Sequence, residues 1–413
     1  MRAGQTIALC VLGLLTIGVL MVSSADMRIQ GVSDPGAAAA PMPVTSILFS
    51  RATIYMGLAV LAMGVAAFLP VRRLAAWADQ GEGPALKMVV LGCLCLISVC
   101  LLVYIPGLSR EMNGSRRWIE IGGLSVQPSE IAKWGMVALV ALYGASRAAV
   151  IHEFWRGLVP ALVSLGVVAG LIVVEDLGTG VLIVAVACVM LLASGARLRY
   201  FAMAVPVGLG LIAVAIFTSP YRVKRILAFL DPYADPKGIG YHTIQSLLAI
   251  ANGGGFGRGL GHGLQKFGYL PEDRTDFIFA VICEELGIAG AALVMSLFAT
   301  IVWTGFAVMR REHNPILRLV VLGVVSTVGM QAVMNLLVVT GMAPTKGIAL
   351  PLLSYGGTGW ILTSLSLGVV IAVDRTQRER VAGHSAEPAF AETLTMAATP
   401  VPAPRAEPAV SAA

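Results

Sequence analysis

The stretch Thr275-Asp276-Phe277-Ile278-Phe279-Ala280-Val281-Ile282-Cys283-Glu284-Glu285-Leu286-Gly287 opens an apolar run that continues to Met309. A helix needs about 20 apolar residues to cross a bilayer. The run from 277 to 309 exceeds that, so part of it tilts or extends outside the hydrocarbon. If helical, it carries Glu284 and Glu285 about 12–13 Å beyond Asp276, at a rise of about 1.5 Å per residue. Adjacent glutamates in an apolar span are costly, so at least one must pair with a cation or face a polar cavity; Lys133 and Lys346 are the candidate partners. Asp276, at the entrance, admits two readings. It either complements the positive end of the helix or stands at the membrane surface as a general base tuned by partial burial.

The rest of the chain has the same character. Of 413 residues, 57% are hydrophobic, 46 are glycine and only 13% are charged. A soluble domain has about 45–50% apolar residues with glycine included, so this composition excludes a soluble globule and predicts an all-α polytopic membrane protein. Ten stretches qualify as transmembrane helices: 7–22, 50–70, 87–105, 129–146, 157–174, 178–193, 199–218, 277–309, 316–341 and 352–373. With Arg2 inside, each even-numbered gap holds Arg or Lys, among them Arg72, Arg73, Arg147, Arg197, Arg310 and Arg311. That satisfies the positive-inside rule with both termini in the cytoplasm. The net charge of +6 follows from the same asymmetry and does not call for nucleic acid. Residues 1–25 also resemble a cleavable signal peptide, which would leave nine spans in the same orientation. The expected organisation is a membrane domain over 1–375, a large extracytoplasmic loop at 219–275 and a disordered cytoplasmic tail at 376–413. Ser23 to Phe49 reads as a flexible external loop.

Two outside gaps break the charge pattern. One runs through Arg110, Arg116, Arg117 and Trp118 to Glu130; the other, 219–275, holds Arg222, Lys224, Arg225, Arg258, Lys266 and Arg274. A cationic surface there suits an anionic ligand such as a phosphate and equally an anionic headgroup layer. The glycine-dense run Asn252 to Gly261 predicts a tight turn system, and such turns can present backbone N–H groups to phosphate. Between the ninth and tenth spans, Pro344, Pro351 and five glycines predict a broken, re-entrant element.

Three sets of residues together resemble the SEDS family of bacterial membrane proteins (shape, elongation, division and sporulation; FtsW, RodA and SpoVE). They are Arg116-Arg117-Trp118-Ile119 with Gln127-Pro128-Ser129-Glu130-Ile131-Ala132-Lys133; Tyr269-Leu270-Pro271-Glu272 with Thr275 to Ala280 and Glu284-Glu285-Leu286-Gly287; and Pro344-Thr345-Lys346-Gly347 with Leu350 to Gly357. The resemblance covers about residues 50–375. Within the family, Thr345-Lys346-Gly347 is closer to the division branch than to the elongation branch. The chain departs from the family where a Gln-Pro-Asp is common, reading Val174-Glu175-Asp176-Leu177-Gly178, and at Thr358-Gly359 after Tyr355-Gly356-Gly357.

The resemblance implies a ten-helix fold in the bacterial inner membrane and a peptidoglycan glycosyltransferase that polymerises lipid II during septal wall synthesis. It further implies a class B penicillin-binding transpeptidase and divisome proteins as partners. Asp276 resembles the family's essential aspartate, which favours the base reading. Arg117, Lys133, Arg258, Lys266 and Lys346 are candidate clamps for the leaving diphosphate, and Ser354 joins the substrate-binding set. Trp118 is either a sugar-stacking platform or an interfacial anchor. Glu130, Glu284 and Glu285 are expected to support the fold. No metal-ligand cluster is apparent, although a divalent cation (Mg or Mn) could bridge Asp276 and diphosphate. A lipid II flippase, a RodA-like elongation polymerase and a scaffold for a catalytic partner are the alternatives.

Overall fold

The computed structural model describes residues 2–32, 45, 48–79, 81–105, 109–112, 115–121, 124–267 and 269–397. Apolar runs become helices where caps and prolines allow them to start. The elements are α1 (Ala3–Val32), α2 (Arg51–Ala67), α3 (Val71–Ala78), α4 (Glu82–Leu101), a ribbon of β1 (Ser109–Met112), β2 (Ser115–Ile121) and β3 (Leu124–Val126), then α5 (Pro128–Ser146), α6 (Val159–Glu175), α7 (Leu177–Ala193), α8 (Leu198–Phe217), α9 (Pro220–Leu230), α10 (Tyr241–Gly253), α11 (Ile278–Arg311), α12 (Pro315–Val339) and α13 (Thr358–Ala397). Pro128 and Pro315 occupy first-turn positions, where their missing N–H is harmless. Ser50, Asp176 and Asn314 cap α2, α7 and α12 by accepting from the N–H three residues on.

A helix lies on each of the ten predicted stretches. By length and composition alone, seven helices among the described residues could cross a membrane, or eight if α2 and α3, bent by 67° at Pro70, form one span. The exceptions are instructive. Helix α5 carries Glu130 and Lys133, and α7 has only 17 residues. Two segment boundaries differ from expectation. Ser23, Ser24 and Ala25 are buried within α1 rather than in an external loop, because Ser24 bonds to a buried ion pair and Asp26 pairs with Arg274. Helix α13 continues to Ala397 across most of the segment predicted as a disordered tail, and residues 398–413 lie outside the described residues. The 219–275 segment is folded, holding α9, α10 and a series of turns.

Helix α12 is the centre of the bundle, with 72% of its apolar window buried; it packs against α5, α7 and α11. Helix α8 is the opposite case, with 6% buried and its main packing against α9. Antiparallel pairing of β1 with β2 and of β2 with β3 sets Arg110 opposite Trp118 and Ile119 opposite Val126.

The long α11 is broken. Gly287 adopts φ 67°, ψ −163°, which interrupts the backbone ladder. The exposed groups are met by the glycine-rich loop. Arg258 and Gly259 N–H donate to Glu284 and Glu285 carbonyls at 3.0 Å, while Ile288 and Ala289 N–H donate to Gly254 and Gly255 carbonyls at 3.0 and 3.1 Å. Only glycine permits this approach: a Cβ on Gly287 would lie 2.3 Å from Gly257 N. The run 252–261 thus spends two of its backbone donors on a helix break rather than on a phosphate. Gly287→Ala combines left-handed strain with overpacking, each worth roughly 1–3 kcal/mol. The expected outcome is a sharply lowered Tm for the detergent-solubilised protein, read by intrinsic fluorescence.

Candidate active site

Asp276 sits on the turn that leads into α11. The turn closes through Phe277 N–H to the Glu272 carbonyl at 3.2 Å and Thr275 Oγ1 to Glu272 Oε2 at 2.8 Å. Its backbone is then tied to the irregular segment between α12 and α13. Asn335, buried in α12, donates both amide hydrogens, one to the Asp276 carbonyl and one to the Ile348 carbonyl, each at 2.8 Å. Ser354 Oγ donates to the Thr275 carbonyl and accepts from Leu350 N–H at 2.7 Å. Tyr355 N–H reaches the Arg274 carbonyl at 2.8 Å. Segment 340–357 keeps its irregular backbone because Leu350, Leu352 and Leu353 are buried in protein, the condition under which such backbone survives at membrane depth.

The Asp276 carboxyl is half-buried and charged groups surround it. Gly347 marks the closest approach: a Cβ there would lie 3.2 Å from both Arg117 Nη1 and Asp276 Oδ2. Burial, with Glu272 and Asp176 nearby, outweighs the attraction of Arg117 and Arg225 and pushes the Asp276 carboxyl up to about 7. Arg225, on α9, donates to the Thr345 carbonyl at 3.0 Å and stacks on Tyr221. Burial lowers the Lys346 ammonium, against the pull of Asp176. His242 of α10 stacks on Phe277, with ring centroids 5.9 Å apart. A carboxyl that exchanges its proton near neutrality beside two guanidinium groups is equipped to take a proton while anionic charge is held close by.

The remaining predicted site residues divide by burial. Arg117 and Lys346 belong to the Asp276 cluster. Trp118 follows Arg117 on β2 and pairs with Arg110, while Arg117 itself is the extra residue where the register between β1 and β2 shifts. Lys133 is not free to clamp a ligand: it is buried, bonds both Glu130 oxygens at 2.7 and 2.8 Å, and donates to Gln331 Oε1 at 2.8 Å. Gln331 passes this on to the Ala349 carbonyl at 2.8 Å. Lys266 is fully buried, held by Glu285 at 2.7 Å and Ser24 at 2.8 Å. Glu284 accepts from Leu264 and Gln265 N–H at 2.9 and 3.1 Å, so the partners anticipated for the two glutamates, Lys133 and Lys346, are replaced by Lys266 and backbone. Ser354 is buried and spent on main-chain groups. Arg258 is exposed, but its N–H is fixed at Glu284, about 12 Å along the helix from Asp276.

Sequence reasoning missed Asn335, Gln331, Arg225 and Asp176 as parts of this arrangement. Gln331 and Asn335 left a readable signal, two amides at i and i+4 on an otherwise apolar helix, one face of which must meet polar groups.

A bundle of apolar helices, one of them broken, with an acid cluster gathered against an irregular buried segment, defines a multi-pass membrane protein with a polar site. A model of the FtsW, RodA and SpoVE family, described as cell cycle protein, matches residues 5–379, and the chain belongs to that family. Stage V sporulation protein E of Bacillus subtilis (strain 168) is 38% identical over 371 residues, covering 88% of this chain and 95% of its own. Probable peptidoglycan glycosyltransferase FtsW of Geobacter sp. (strain M18) is 38% identical over 334 residues, covering 79% and 87%. Among solved structures, a chain from work described as structural coordination of polymerization and crosslinking by a peptidoglycan synthase complex superposes with a TM-score of 0.65 at 31% identity, covering 88% and 97%. The rod shape determining protein RodA of Thermus thermophilus gives 0.60 at 26% identity, covering 90% and 96%.

The buried pair offers a direct test of whether Lys266 is a clamp or a strut. Lys266→Met strands Glu285 without its cation, at a cost of about 3–5 kcal/mol. The expected result is a lost or strongly lowered Tm, partly restored when Glu285→Leu is added; a rise in KM with unchanged Tm would instead indicate a ligand contact.

Proposed function

We propose that the chain is a peptidoglycan glycosyltransferase that polymerises lipid II for the septal wall in cell division, with Asp276 as general base. The observation that carries the mechanism is the Asp276 carboxyl, raised to about 7 and flanked by Arg117 and Arg225. The relatives named as probable FtsW glycosyltransferases support the activity. Lys346, within the Thr345-Lys346-Gly347 motif, supports the division branch over a RodA-like elongation role.

Asp276 takes the proton of an acceptor sugar hydroxyl as that oxygen bonds to the donor's anomeric carbon. The bond from that carbon to the diphosphate oxygen breaks, its electron pair leaving on the lipid diphosphate, and the centre inverts. Arg117, Arg225 and Lys346 hold the departing charge. Arg258, exposed and fixed through its N–H at Glu284, serves the headgroup margin, and Trp118, next to Arg117 in the chain, serves the saccharide. A divalent cation, if the reaction uses one, would be held on this chain by Asp276 and would supply positive charge toward the departing diphosphate; among the described residues no three His, Cys, Asp or Glu side chains converge as a metal site.

The proposed topology is ten crossings of the inner membrane with both termini in the cytoplasm and 219–275 outside, which places Asp276 at the outer face, where a lipid-tethered sugar presents its hydroxyl. The neighbour from a peptidoglycan synthase complex supports a transpeptidase of the penicillin-binding class as partner.

A reconstitution with labelled lipid II, with the partner co-purified, tests this reading. A general base contributes about 10²–10⁴-fold, so Asp276→Asn is expected to lose polymer by at least that range while retaining its Tm. Because the base must be ionised, the rate of the unaltered protein is expected to rise about tenfold per pH unit below 7 and to level above it. Lipid II translocation without polymer at any pH would point to a flippase instead.

A further inference from the structure

The turn that carries Asp276 is held through its main chain from one side. Three successive carbonyls are taken: that of Arg274 by Tyr355 N–H at 2.8 Å, that of Thr275 by Ser354 Oγ, and that of Asp276 by the Asn335 amide at 2.8 Å. All three donors belong to α12 or to the irregular segment that follows it. A turn bonded along one line can still rock about that line, so its orientation depends on what holds it elsewhere.

That second hold comes from α1. Asp26, where the apolar part of α1 ends, forms an ion pair with Arg274, two residues before Asp276. Two residues earlier, Ser24 Oγ donates toward both Glu285 oxygens at 2.9 Å and accepts from Lys266 Nζ at 2.8 Å. Arg274 precedes the short helical piece from Ile278 to Leu286, and Glu285 lies at its end. One turn of α1 therefore grips that piece from both ends. Helix α1 is itself well fixed. A Cβ on Gly18 would fall 2.9 Å from the Leu352 carbonyl oxygen, so α1 lies directly against the irregular segment, and at its other end Gly4 N–H donates to Asp374 Oδ2 at 3.0 Å.

The two grips differ in kind. The Lys266–Glu285 pair is fully buried and belongs to the fold. The Asp26 and Arg274 side chains keep 40% and 27% of their exposure, and a pair so open to solvent adds little to stability. Its consequence lies in where the turn stands. We propose that Asp26 and Arg274 are a positioning pair of the Asp276 site, a clip from α1 that stops the turn from rocking and so fixes the carboxyl relative to the acceptor hydroxyl. A displacement of about 1 Å in a reacting group can cost on the order of 100-fold in rate. The proposal extends the reading of Asp276 as the base and rests on it.

The test compares the unaltered protein with Asp26→Asn, Arg274→Gln and the exchanged pair Asp26→Arg with Arg274→Asp, each with the transpeptidase partner co-purified. In lipid II polymerisation, kcat is expected to fall roughly 10- to 100-fold in both single variants, with KM and Tm unchanged, and to be largely recovered in the exchanged pair. Undiminished kcat in the single variants overturns the inference. So does a loss in the exchanged pair as deep as in the single ones, or a Tm that falls in step with kcat. A raised KM confined to Arg274→Gln makes Arg274 a substrate contact and overturns it as well. Hydrogen exchange of the 272–277 amides needs no reaction. There the Thr275 and Phe277 N–H bonds to the Glu272 carbonyl are expected to exchange faster in both single variants and to return in the exchanged pair. Exchange that is the same in all four proteins overturns the clip. Exchange that follows the expected pattern while even the unaltered protein makes no polymer sustains the clip and overturns the assignment of Asp276 as base instead.

Discussion

A helix broken inside a membrane protein exposes backbone groups that lipid cannot satisfy, and the rest of this architecture answers that constraint. At Gly287 the ladder of α11 fails, and loop 253–261 supplies the missing donors and acceptors. The same loop is fastened from the helix side: Glu284 and Glu285 take the N–H groups of Gly261, Leu264 and Gln265, and Lys266 neutralises Glu285 within reach of Ser24. One closed set of bonds therefore binds α1, α11 and the glycine-rich loop, and the short helical piece from Ile278 to Leu286 is held rigid at its far end. Asp276 stands just before that piece.

Rigidity at the near end comes from α12. Lys133 and Glu130 neutralise each other beside Gln331, whose amide holds Ala349, and one turn further along Asn335 holds Ile348 and Asp276 together. The two buried lysines that looked like phosphate ligands are thus struts in two separate networks, each with its charge already met. Buried ion pairs of this kind add little net stability but fix one arrangement, because a single missing partner leaves an uncompensated charge. Arg117 and Arg225 are the guanidinium groups that act on the Asp276 carboxyl, and Lys346 lies on the adjoining irregular segment.

Helix α8 shows the contrast. It is apolar all round and only 6% buried, so its outward faces suit lipid, and α9 carries arginines back to the bundle, Arg222 to the carbonyls of Val173 and Val174 and Arg225 to that of Thr345. One side of the acid cluster is therefore made by a helix with no buried residue of its own, linked through a loosely packed neighbour.

The sequence alone determined the membrane class, the position of each long helix, the entrance of Asp276 and the irregularity around Pro344 to Pro351. Each of these is a local property: apolar length, proline and glycine content, or a charge where hydrocarbon should be. The motifs led also to the family. Which lysine meets which glutamate was decided only by the tertiary structure, since Lys266 and Lys133 have the same chemistry and differ only in what the fold sets beside them. The same holds for Arg225, one of several loop cations by its sequence and a neighbour of Asp276 only once α9 is packed against the irregular segment. Electrostatic coupling depends on distance through space and on burial, and neither is a property of a residue or of its spacing along the chain.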